Sequence, residues 1–371
     1  MDAESLYTRR EVLKNLAVLA GLSASSSCAA VSSPALPLHV ARYWHRENGN
    51  IACELCPNAC ILPDKGTGTC RNRRNHRGTL YAIGYGKVCS TAIDPIEKKP
   101  VFHVLPGART FSIAIAGCNL RCKNCQNYQI SQVSPEQTDV EIVSPEKVVQ
   151  QAVRSGCEAI AFTYSEPTAW YEYTYDTAKI AKSAGLKTVL VSSGYINPAP
   201  LVDLAKYIDA AHFDLKSFSE KIYAKLNEGK LAPVLTTLTT AKNAGIWVEV
   251  INLIVPQWTD NLDMIRSMCT WLNANMGADT PLHFSRFFPL YQLSYLMPTP
   301  AGVLKQAREI AMKEGLHFVY TGNLAEAEGN TYCPSCGMVV IGRDGYIITA
   351  RNIKNGCCAK CGAAIAGIWG M

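Results

Sequence analysis

Three closely spaced cysteines, Cys118, Cys122 and Cys125, carry the strongest chemical signal in this sequence. They follow an apolar, strand-like run in the segment AIAGCNLRCKNCQN, in a C-x3-C-x2-C arrangement. Cysteine thiolates are the usual ligands of a [4Fe–4S] cluster, and three of them leave one of its four irons without a protein ligand. An open coordination position on a metal can take a substrate or cosubstrate. The alternative is a structural zinc loop with a distant fourth ligand. We call these residues the cluster triplet.

A second group of cysteines, the N-terminal quartet, lies upstream within eighteen residues: Cys53, Cys56, Cys60 and Cys70. Four thiolates can bind one zinc ion in a closed tetrahedral site. They can equally bind an auxiliary [4Fe–4S] cluster, which would suit electron relay to the cluster triplet. The sequence leaves both interpretations open.

A third group, the C-terminal quartet, consists of Cys333, Cys336, Cys358 and Cys361. It forms two C-x2-C knuckles about two dozen residues apart, with the strand-like run GYIITARNI between them. This spacing is typical of a zinc ribbon, in which four thiolates surround one zinc ion. Iron would bind with the same spacing, so zinc is the preferred of two alternatives.

Polar side chains lie in or directly after the apolar runs that we interpret as strands. The candidate binding residues are Tyr164, Ser165, Glu166, Ser193, Asp214, Lys216 and His283. Because side chains alternate along a strand, Asp214 and Lys216 share one face, where an inward acid–base pair is costly unless it is paired or used. The same rule points His283 and Arg286 to opposite faces, so a regular strand presents only one of them to a common site.

Short apolar runs alternate with helical segments from residue 108 to about residue 325. The runs are FSIAIAG (111–117), AIAFTYS (159–165), KTVLVSS (187–193), AAHFDLK (210–216), WVEVINLIV (247–255), LHFSRFF (282–288) and HFVYTG (317–322). Glycines that would end helices recur before four of these runs, at Gly156, Gly185, Gly245 and Gly315. Such units predict a buried parallel sheet, and six or seven of them favour an open or partial (β/α) barrel over a flat doubly wound sheet. In these folds the site lies at the carboxyl ends of the strands.

The composition indicates a globular protein with metal sites. Its 371 residues are 48% hydrophobic and 18% charged, which allows one large core with appendages. Most of the sixteen cysteines fall into tight clusters, a pattern typical of metal sites rather than of a disulfide framework. The net charge of +6 is modest, and we interpret a basic run at residues 71–77 as a solvated loop. We therefore expect no nucleic-acid partner.

The first residues have the layout of a signal peptide. Residues 8–14 contain Arg9 and Arg10, residues 15–24 are apolar, and small residues follow over 25–30. The arginine pair resembles a twin-arginine signal, which predicts export to the periplasm or a membrane-associated location. The alternative is a short amphipathic start of a cytoplasmic protein, and the apolar run is too short to predict a membrane span. We divide the chain into signal and linker (1–45), Cys-rich module (46–107), partial barrel (108–325) and zinc-ribbon-like module (326–371).

Eight segments together carry a resemblance to a known family: CELCPNAC, GYG, DPIEKKP, PGARTFSIAIAGCNLRCKNCQN, TYSEPT, DLK, HFSRFFP and GNTYCPSCG. Over residues 45–371 the chain resembles the radical S-adenosylmethionine (SAM) enzyme of the AmmeMemoRadiSam system and is similar to pyruvate formate-lyase activating enzymes. The resemblance implies an α/β fold, namely a partial (β/α)6-type radical SAM barrel between the two cysteine modules. It implies that a [4Fe–4S] cluster on the catalytic cluster triplet cleaves SAM reductively to a 5′-deoxyadenosyl radical, which abstracts hydrogen from a substrate.

The resemblance also implies roles at the strand ends. Glu166 and its neighbours would hold the SAM amino group, Ser193 would meet its carboxylate or ribose, and the Asp214–Lys216 pair would contact SAM. One departure is Asn124, which precedes the third cysteine where the superfamily usually has an aromatic residue. Another is that serine, at Ser165 and Ser193, stands where asparagine is expected in relatives.

The implied partners are a one-electron donor and a protein substrate, as in glycyl-radical activating enzymes, with AMMECR-type and Memo-type proteins as candidates. One alternative is radical modification of a small molecule or peptide. A more remote alternative is a metal-binding scaffold protein without catalysis, in which all three cysteine groups are structural. The expected cofactors are the [4Fe–4S] cluster, SAM and zinc, with an auxiliary iron–sulfur cluster as the alternative occupant of the N-terminal quartet.

Overall fold

A computed structural model describes residues 38–325 and 327–370. The signal-like segment lies outside the described residues, so export of the protein stays a prediction. Residues 38–86 form two small antiparallel sheets, with strand orders β1-β6-β5 and β2-β3-β4. Their strands are β1 (His39–Val40), β2 (Trp44–Glu47), β3 (Asn50–Cys53), β4 (Ile61–Leu62), β5 (Arg73–His76) and β6 (Thr79–Ala82).

A nine-stranded sheet forms the core of the described chain. Its strands are β7 (Lys87–Pro95), β8 (Arg109–Ile115), β9 (Glu141–Ile142), β10 (Ala159–Phe162), β11 (Lys187–Ser192), β12 (Ala210–Asp214), β13 (Trp247–Ile254), β14 (Leu282–Arg286) and β15 (Val319–Gly322). The order β15-β14-β13-β12-β11-β10-β8-β7-β9 is an open row. The pairs from β15 through β8 are all parallel. The expected α/β sheet is therefore present, and the seven apolar runs supply its seven parallel strands.

Two antiparallel strands extend this sheet beyond its parallel part. β7 pairs antiparallel with β8, and the short β9 pairs with β7. β7 lies within residues 46–107, the range assigned to the Cys-rich module, yet it is a strand of the main sheet. Its sequence, KVCSTAIDP, mixes polar and apolar residues and is only partly buried. For that reason it does not show the continuous apolar pattern that marks the parallel strands.

Helices and helical turns connect the parallel strands. The α-helices are α1 (Tyr128–Ser131), α2 (Pro145–Arg154), α3 (Tyr171–Ser183), α4 (Pro198–Ala205), α5 (Glu220–Ile222), α6 (Leu231–Asn243), α7 (Leu262–Met276) and α8 (Ala301–Lys313). Tighter 3-10 turns span Ile96–Lys98, Pro167–Trp170 and Tyr291–Leu293, and a wider π turn spans Tyr223–Asn227. Among the described helices, none combines the length and apolar character that a membrane crossing needs.

The ends of the helices follow the sequence signals. At the start of α2, the Ser144 side chain accepts a hydrogen bond from the Lys147 N–H, and Pro145 occupies the first turn. The four glycines that were predicted to end helices, Gly156, Gly185, Gly245 and Gly315, all have positive φ, between +62° and +92°. Each glycine lets the chain turn from a helix into the next strand.

The C-terminal residues form short antiparallel strands against the amino ends of the parallel strands. These strands are β16 (Thr331–Tyr332), β17 (Val339–Asp344), β18 (Ile347–Arg351), β19 (Ile353–Lys354) and β20 (Cys357–Cys358). An apolar cluster joins Phe102, Phe318 and Tyr320 to Cys333 and Cys358. The C-terminal module thus packs on the nine-stranded sheet through a shared core.

Candidate active site

A cavity of about 300 Å³ opens at the carboxyl ends of the parallel strands. The cluster triplet lines it from the loop after β8. Six of the seven predicted binding residues line the same cavity: Tyr164, Ser165, Glu166, Ser193, Asp214 and Lys216. They meet there because the strand ends of a parallel sheet share one edge.

The cluster loop, residues 117–127, is held by backbone hydrogen bonds to two neighbouring elements. The Gly117 N–H donates to the Ile130 carbonyl at 2.8 Å. The Arg121 and Lys123 N–H groups donate to the carbonyls of Asn227 and Leu226 at 3.0 and 2.9 Å. These last two residues belong to the π turn, a rare conformation that is frequent at functional sites. The loop that carries the triplet is therefore fixed at both sides.

The thiols of the cluster triplet lie in a poorly solvated environment. Burial raises the pKa of the Cys118 thiol well above its usual value, and raises that of Cys125 to about 11. At Cys122 burial also raises the pKa, while the positive charge of Lys216 opposes this shift. The thiols are thus protonated at neutral pH without metal, and a metal that binds them must release their protons.

Glu166 is a buried carboxylate held in one orientation. Its Oε1 accepts hydrogen bonds from the Ser192 hydroxyl at 2.6 Å and the Thr168 N–H at 3.0 Å. Its Oε2 accepts from the Ser193 N–H at 2.8 Å. A carboxylate offers about four acceptor positions, so the group can still receive a cationic ligand from the cavity.

The hydroxyl of Ser193 has no hydrogen-bond partner among residues 38–325 and 327–370. Its Oγ is buried and makes no hydrogen bond, although the residue lines the cavity. A buried hydroxyl without a partner is costly, so such groups point to a bound ligand or water. Ser193 is therefore a direct candidate for contact with a polar ligand group.

Asp214 and Lys216 form an ion pair on the cavity wall, as side-chain alternation predicted. Lys216 Nζ lies 2.7 Å from Asp214 Oδ2, and His212 Nε2 lies 3.4 Å from Asp214 Oδ1. Burial opposes ionisation of Asp214, but Lys216 and His212 outweigh it and hold the pKa of the carboxyl well below its usual range. Asp214 in turn raises the pKa of Lys216 against the effect of burial. Both groups are charged beside the cluster loop.

The structure does not bring His283 into this cavity. It is the second residue of β14, at the amino end of the strand, whereas the cavity lies at the carboxyl end. Its Nε2 lies 2.7 Å from the buried carboxylate of Glu249. The ring packs between Phe102 and Tyr320. This position assigns His283 to the packing of the C-terminal module, and Arg286 is not among the cavity residues either.

A charged group of Asp94, Lys98 and Lys99 lies beside Tyr164, and the sequence had not indicated a role for it. Lys98 and Lys99 line the cavity and bind the two oxygens of Asp94 at 2.7 and 2.6 Å. The Tyr164 hydroxyl donates to the same carboxylate. Burial and the Asp94 charge raise the pKa of Tyr164 to about 12. Asp94, Lys98 and Lys99 belong to the DPIEKKP segment, so their charges are visible in the sequence. Which residues they contact depends on β7 and β8 lying side by side.

The two outer cysteine groups differ in how closely their sulfurs approach. All four sulfurs of the C-terminal quartet lie within 4.8 Å of one another, as a single metal ion requires. The N-terminal quartet lines a second, narrow cavity at the base of the cluster loop. Within residues 38–325 and 327–370, neither this quartet nor the cluster triplet forms so tight a group.

This chain is similar to several known proteins. The pattern of the Radical SAM superfamily matches residues 112–272. An uncharacterized protein of Methanocaldococcus jannaschii is 45% identical over 328 residues, which cover 87% of this chain and 97% of that protein. A pyruvate formate-lyase-activating enzyme of Clostridium pasteurianum is 24% identical over 165 residues, 44% of this chain and 68% of that enzyme. The crystal structure of a radical SAM methyltransferase from Sphaerobacter thermophilus has a TM-score of 0.48 at 11% identity, and covers 79% of this chain and 80% of its own.

The chain contains a radical SAM domain over residues 112–272 and belongs to the family of the Methanocaldococcus jannaschii protein. A radical SAM domain implies a [4Fe–4S] cluster and SAM. The residues present fit both groups. The triplet offers only cysteine ligands, the Asn227 amide lies beside the Cys122 sulfur, and the Ser193 hydroxyl is buried at the cavity wall without a partner among the described residues.

Proposed function

We propose that this protein cleaves SAM reductively and transfers the radical to a partner protein, in the manner of glycyl-radical activating enzymes. The unpaired Ser193 hydroxyl beside the Glu166 carboxylate, in the cavity that the cluster triplet also lines, carries the first half of the proposal. When bound, the cluster and SAM supply the one-electron cleavage and a carbon-centred radical that takes a hydrogen atom. The chain supplies the ligands, the orientation and the exclusion of water.

Each of these tasks has a residue in the cavity. The cluster triplet would hold three irons, and Glu166 would accept hydrogen bonds from the SAM ammonium group. Ser193 would donate to the SAM carboxylate or ribose. Lys216, fixed by Asp214, places a positive charge beside Cys122 and so favours negative charge on the ligands around it.

An apolar loop at the cavity edge supports a protein as the acceptor. Residues 288–297, the apolar loop, follow the carboxyl end of β14, and the Gln292 N–H donates to the Lys123 carbonyl of the cluster loop at 3.2 Å. Phe288, Leu290, Tyr295 and Met297 are exposed there, Tyr295 by 71% and Met297 by 77%. Grouped apolar side chains of this size mark protein interaction sites.

The resemblance in the sequence supplies candidate partners, namely AMMECR-type and Memo-type proteins. It also keeps a pyruvate formate-lyase-like acceptor, with a backbone glycine as the target, within the proposal. A small molecule or a peptide remains the alternative acceptor, because the cavity is also open to ligands of that size.

The first experiment tests the radical chemistry. The protein is purified anaerobically, reconstituted with iron and sulfide, and supplied with dithionite and SAM. We expect 5′-deoxyadenosine from the wild type and none from Cys118→Ala. Cys157→Ala is the control, since Cys157 is buried outside the three cysteine groups. Product formation by Cys118→Ala at the wild-type rate would contradict the proposal.

The second experiment tests the acceptor. Each candidate partner is mixed with the loaded enzyme and SAM, and the mixture is examined by electron paramagnetic resonance for a stable protein radical. The Tyr295→Ala/Met297→Ala variant should lower radical yield on the partner at least tenfold and leave 5′-deoxyadenosine formation without partner unchanged. Ile347→Ala, at an equally exposed apolar residue of the C-terminal module, should change neither. Absence of a protein radical with every candidate would favour the small-molecule alternative.

A further inference from the structure

The N-terminal quartet forms a second cysteine cage against the cluster loop. Cys53 ends β3, Cys56 and Cys60 lie in the turn before β4, and Cys70 precedes β5. Their side chains line one narrow cavity together with Asn119 and Thr168 of the barrel. A Cβ at Gly68 would lie 3.8 Å from the sulfurs of both Cys60 and Cys70. The cage is therefore built from separate segments that the fold brings together.

The spread of the sulfurs separates the two possible occupants. Zinc–sulfur bonds of about 2.3 Å place tetrahedral sulfurs about 3.8 Å apart. The C-terminal quartet has this geometry, with Cys333–Cys361 at 3.6 Å and Cys336–Cys358 at 3.7 Å. In the described chain the N-terminal sulfurs do not gather within 4.8 Å, and neither do those of the cluster triplet. The N-terminal cage is thus wider than a site for a single zinc ion, and the cluster triplet shares this property.

A buried cation faces the cage. The Arg73 side chain is 1% exposed, and its Nη1 donates to the Cys53 sulfur at 3.2 Å. Its Nη2 binds the Glu172 carboxylate and the Arg42 carbonyl, which fix the guanidinium in place. A cube with four cysteine ligands carries net negative charge, and hydrogen bonds to its sulfurs tune its reduction potential. Arg73 would stabilise the reduced state of such a cluster.

The segment that carries the cage cysteines contacts the cluster loop directly. A Cβ at Gly117 would lie 2.5 Å from the Cys70 carbonyl oxygen, so the two cysteine segments touch one residue before Cys118. The Asn58 amide donates to the Asn119 carbonyl at 2.7 Å, one residue after Cys118. Arg71 Nη1 donates to the Cys118 carbonyl itself at 3.3 Å. The segments that carry the two sets of cysteines are therefore hydrogen-bonded to each other on both sides of Cys118.

We propose that Cys53, Cys56, Cys60 and Cys70 hold a second [4Fe–4S] cluster that relays electrons to the cluster at the triplet. The external donor is a low-potential one-electron carrier of the ferredoxin or flavodoxin class. Each event oxidises the carrier by one electron and reduces the cage cluster by one. The cage cluster then returns to its oxidised state as the triplet cluster accepts that electron, and no bond or proton is exchanged. This inference rests on the proposed function, which supplies the need for the electron.

The first test counts metals in a variant that keeps only the cage. Anaerobically reconstituted wild type should contain about eight irons, and the Cys118→Ala/Cys122→Ala/Cys125→Ala variant about four, with the Mössbauer spectrum of a [4Fe–4S] cluster. Zinc and no iron in the cage of that variant would overturn the inference. A different outcome is also informative. If the cage contains iron but the wild type does not cleave SAM, the proposed function is refuted and the assignment of a cluster to the cage stands.

The second test separates relay from folding. Cys56→Ser/Cys60→Ser should retain about four irons at the triplet, which reports on correct folding, and should cleave SAM at the wild-type rate with dithionite. With reduced flavodoxin or ferredoxin as the donor, its rate should fall at least tenfold. The matched control is Cys157→Ser/Cys269→Ser, two buried cysteines outside the cage. An unchanged rate with the protein donor would refute the relay.

Discussion

A single hydroxyl, that of Ser193, illustrates how the cavity is prepared for its ligand. The Ser192 hydroxyl and the Ser193 N–H both donate hydrogen bonds to Glu166. The Ser193 Oγ, in contrast, is buried and has no partner among the described residues. An unsatisfied hydroxyl costs the free protein roughly 1–3 kcal/mol, which a bound ligand can restore. The protein is thus slightly destabilised where SAM is expected to bind.

We therefore expect Ser193→Ala to weaken SAM binding about tenfold, the equivalent of about 1.4 kcal/mol, in the cluster-loaded protein. The ligand-free protein should be no less stable, because the substitution removes an unpaired group. Anaerobic equilibrium dialysis measures the affinity, and thermal unfolding measures the stability. Ser183→Ala on the exposed face of α3 is the control. Equal SAM affinity in Ser193→Ala would contradict the role.

Most of the candidate residues predicted from the sequence line the cavity, because strand ends in a parallel sheet share an edge. Six candidates lie at or just beyond the carboxyl ends of their strands, so they converge. His283 also lies in an apolar run, but two residues into it, and the position of a residue along a strand sets which end of the barrel it reaches. Its contact with Glu249 needs the register of β13 against β14, which the sequence does not reveal.

At the scale of elements, Gly117 is the point where the Cys-rich module meets the cluster loop. Its φ is +110°, and a Cβ there would lie 2.2 Å from the Asn72 amide nitrogen. Asn72 in turn donates that amide to the Ala116 carbonyl. This side-chain to backbone hydrogen bond joins two segments that are more than forty residues apart in the sequence, beside Cys118.

Gly117→Ala should destabilise the protein by about 2–4 kcal/mol, because the methyl group meets backbone and a fixed amide in addition to the strain at positive φ. Urea unfolding followed by circular dichroism measures the loss. Gly185→Ala is the matched control: its φ is +80° and no atom lies within 4 Å of the added Cβ, so it should cost only roughly 1–2 kcal/mol. Equal losses in the two variants would exclude close contact as the cause.

The parallel strands and the helix ends could be predicted, since continuous apolar runs and terminal glycines are local signals. The sheet edge at β7 and the π turn at Tyr223–Asn227 could not be predicted from the sequence. β7 is only partly buried and becomes a strand because β8 offers it hydrogen bonds. The π turn depends on packing against the cluster loop, whose N–H groups donate to its carbonyls. Both are set by tertiary contacts rather than by composition.

At the scale of the whole molecule, one buried carboxylate connects the barrel with the C-terminal module. Glu249 in β13 accepts hydrogen bonds from the N–H groups of Phe102 and His103 and pairs with His283. The His103 ring bridges the Ala366 carbonyl at 2.7 Å and the Tyr320 hydroxyl at 2.6 Å. This polar network lies inside an otherwise apolar interface, so its protonation state affects the stability of that interface.

Acid should therefore weaken this interface. Burial lowers the pKa of His103 from 6.5 to about 4, and hydrogen bonds hold the pKa of Glu249 at about 2 instead of 4.5 although burial opposes this. In both cases the unfolded chain binds the proton more tightly. The free energy of unfolding therefore decreases as pH falls: His103 lowers it between about pH 6.5 and 4, and Glu249 lowers it between about pH 4.5 and 2.

We expect the free energy of unfolding to fall by on the order of 3 kcal/mol between pH 7 and pH 4 from His103 alone. Urea titrations at several pH values measure it. His103→Gln should lower stability at pH 7 but flatten the slope between pH 6.5 and 4. His317→Gln, at an exposed histidine, is the control for loss of one histidine. An unchanged slope in His103→Gln would show that other groups dominate.

The contact of residues 103–105 with the last part of the described chain constrains how the protein is made. Val104 and Ile368 form a parallel bridge, and the Leu105 N–H donates to the Ile368 carbonyl at 2.8 Å. The His103–Ala366 bond spans 263 positions. During synthesis, His103, Val104 and Leu105 therefore stay without these partners until residue 368 has left the ribosome. These contacts at the amino ends of the parallel strands are of very high sequence separation, so they form late relative to the local strand–helix contacts of the sheet.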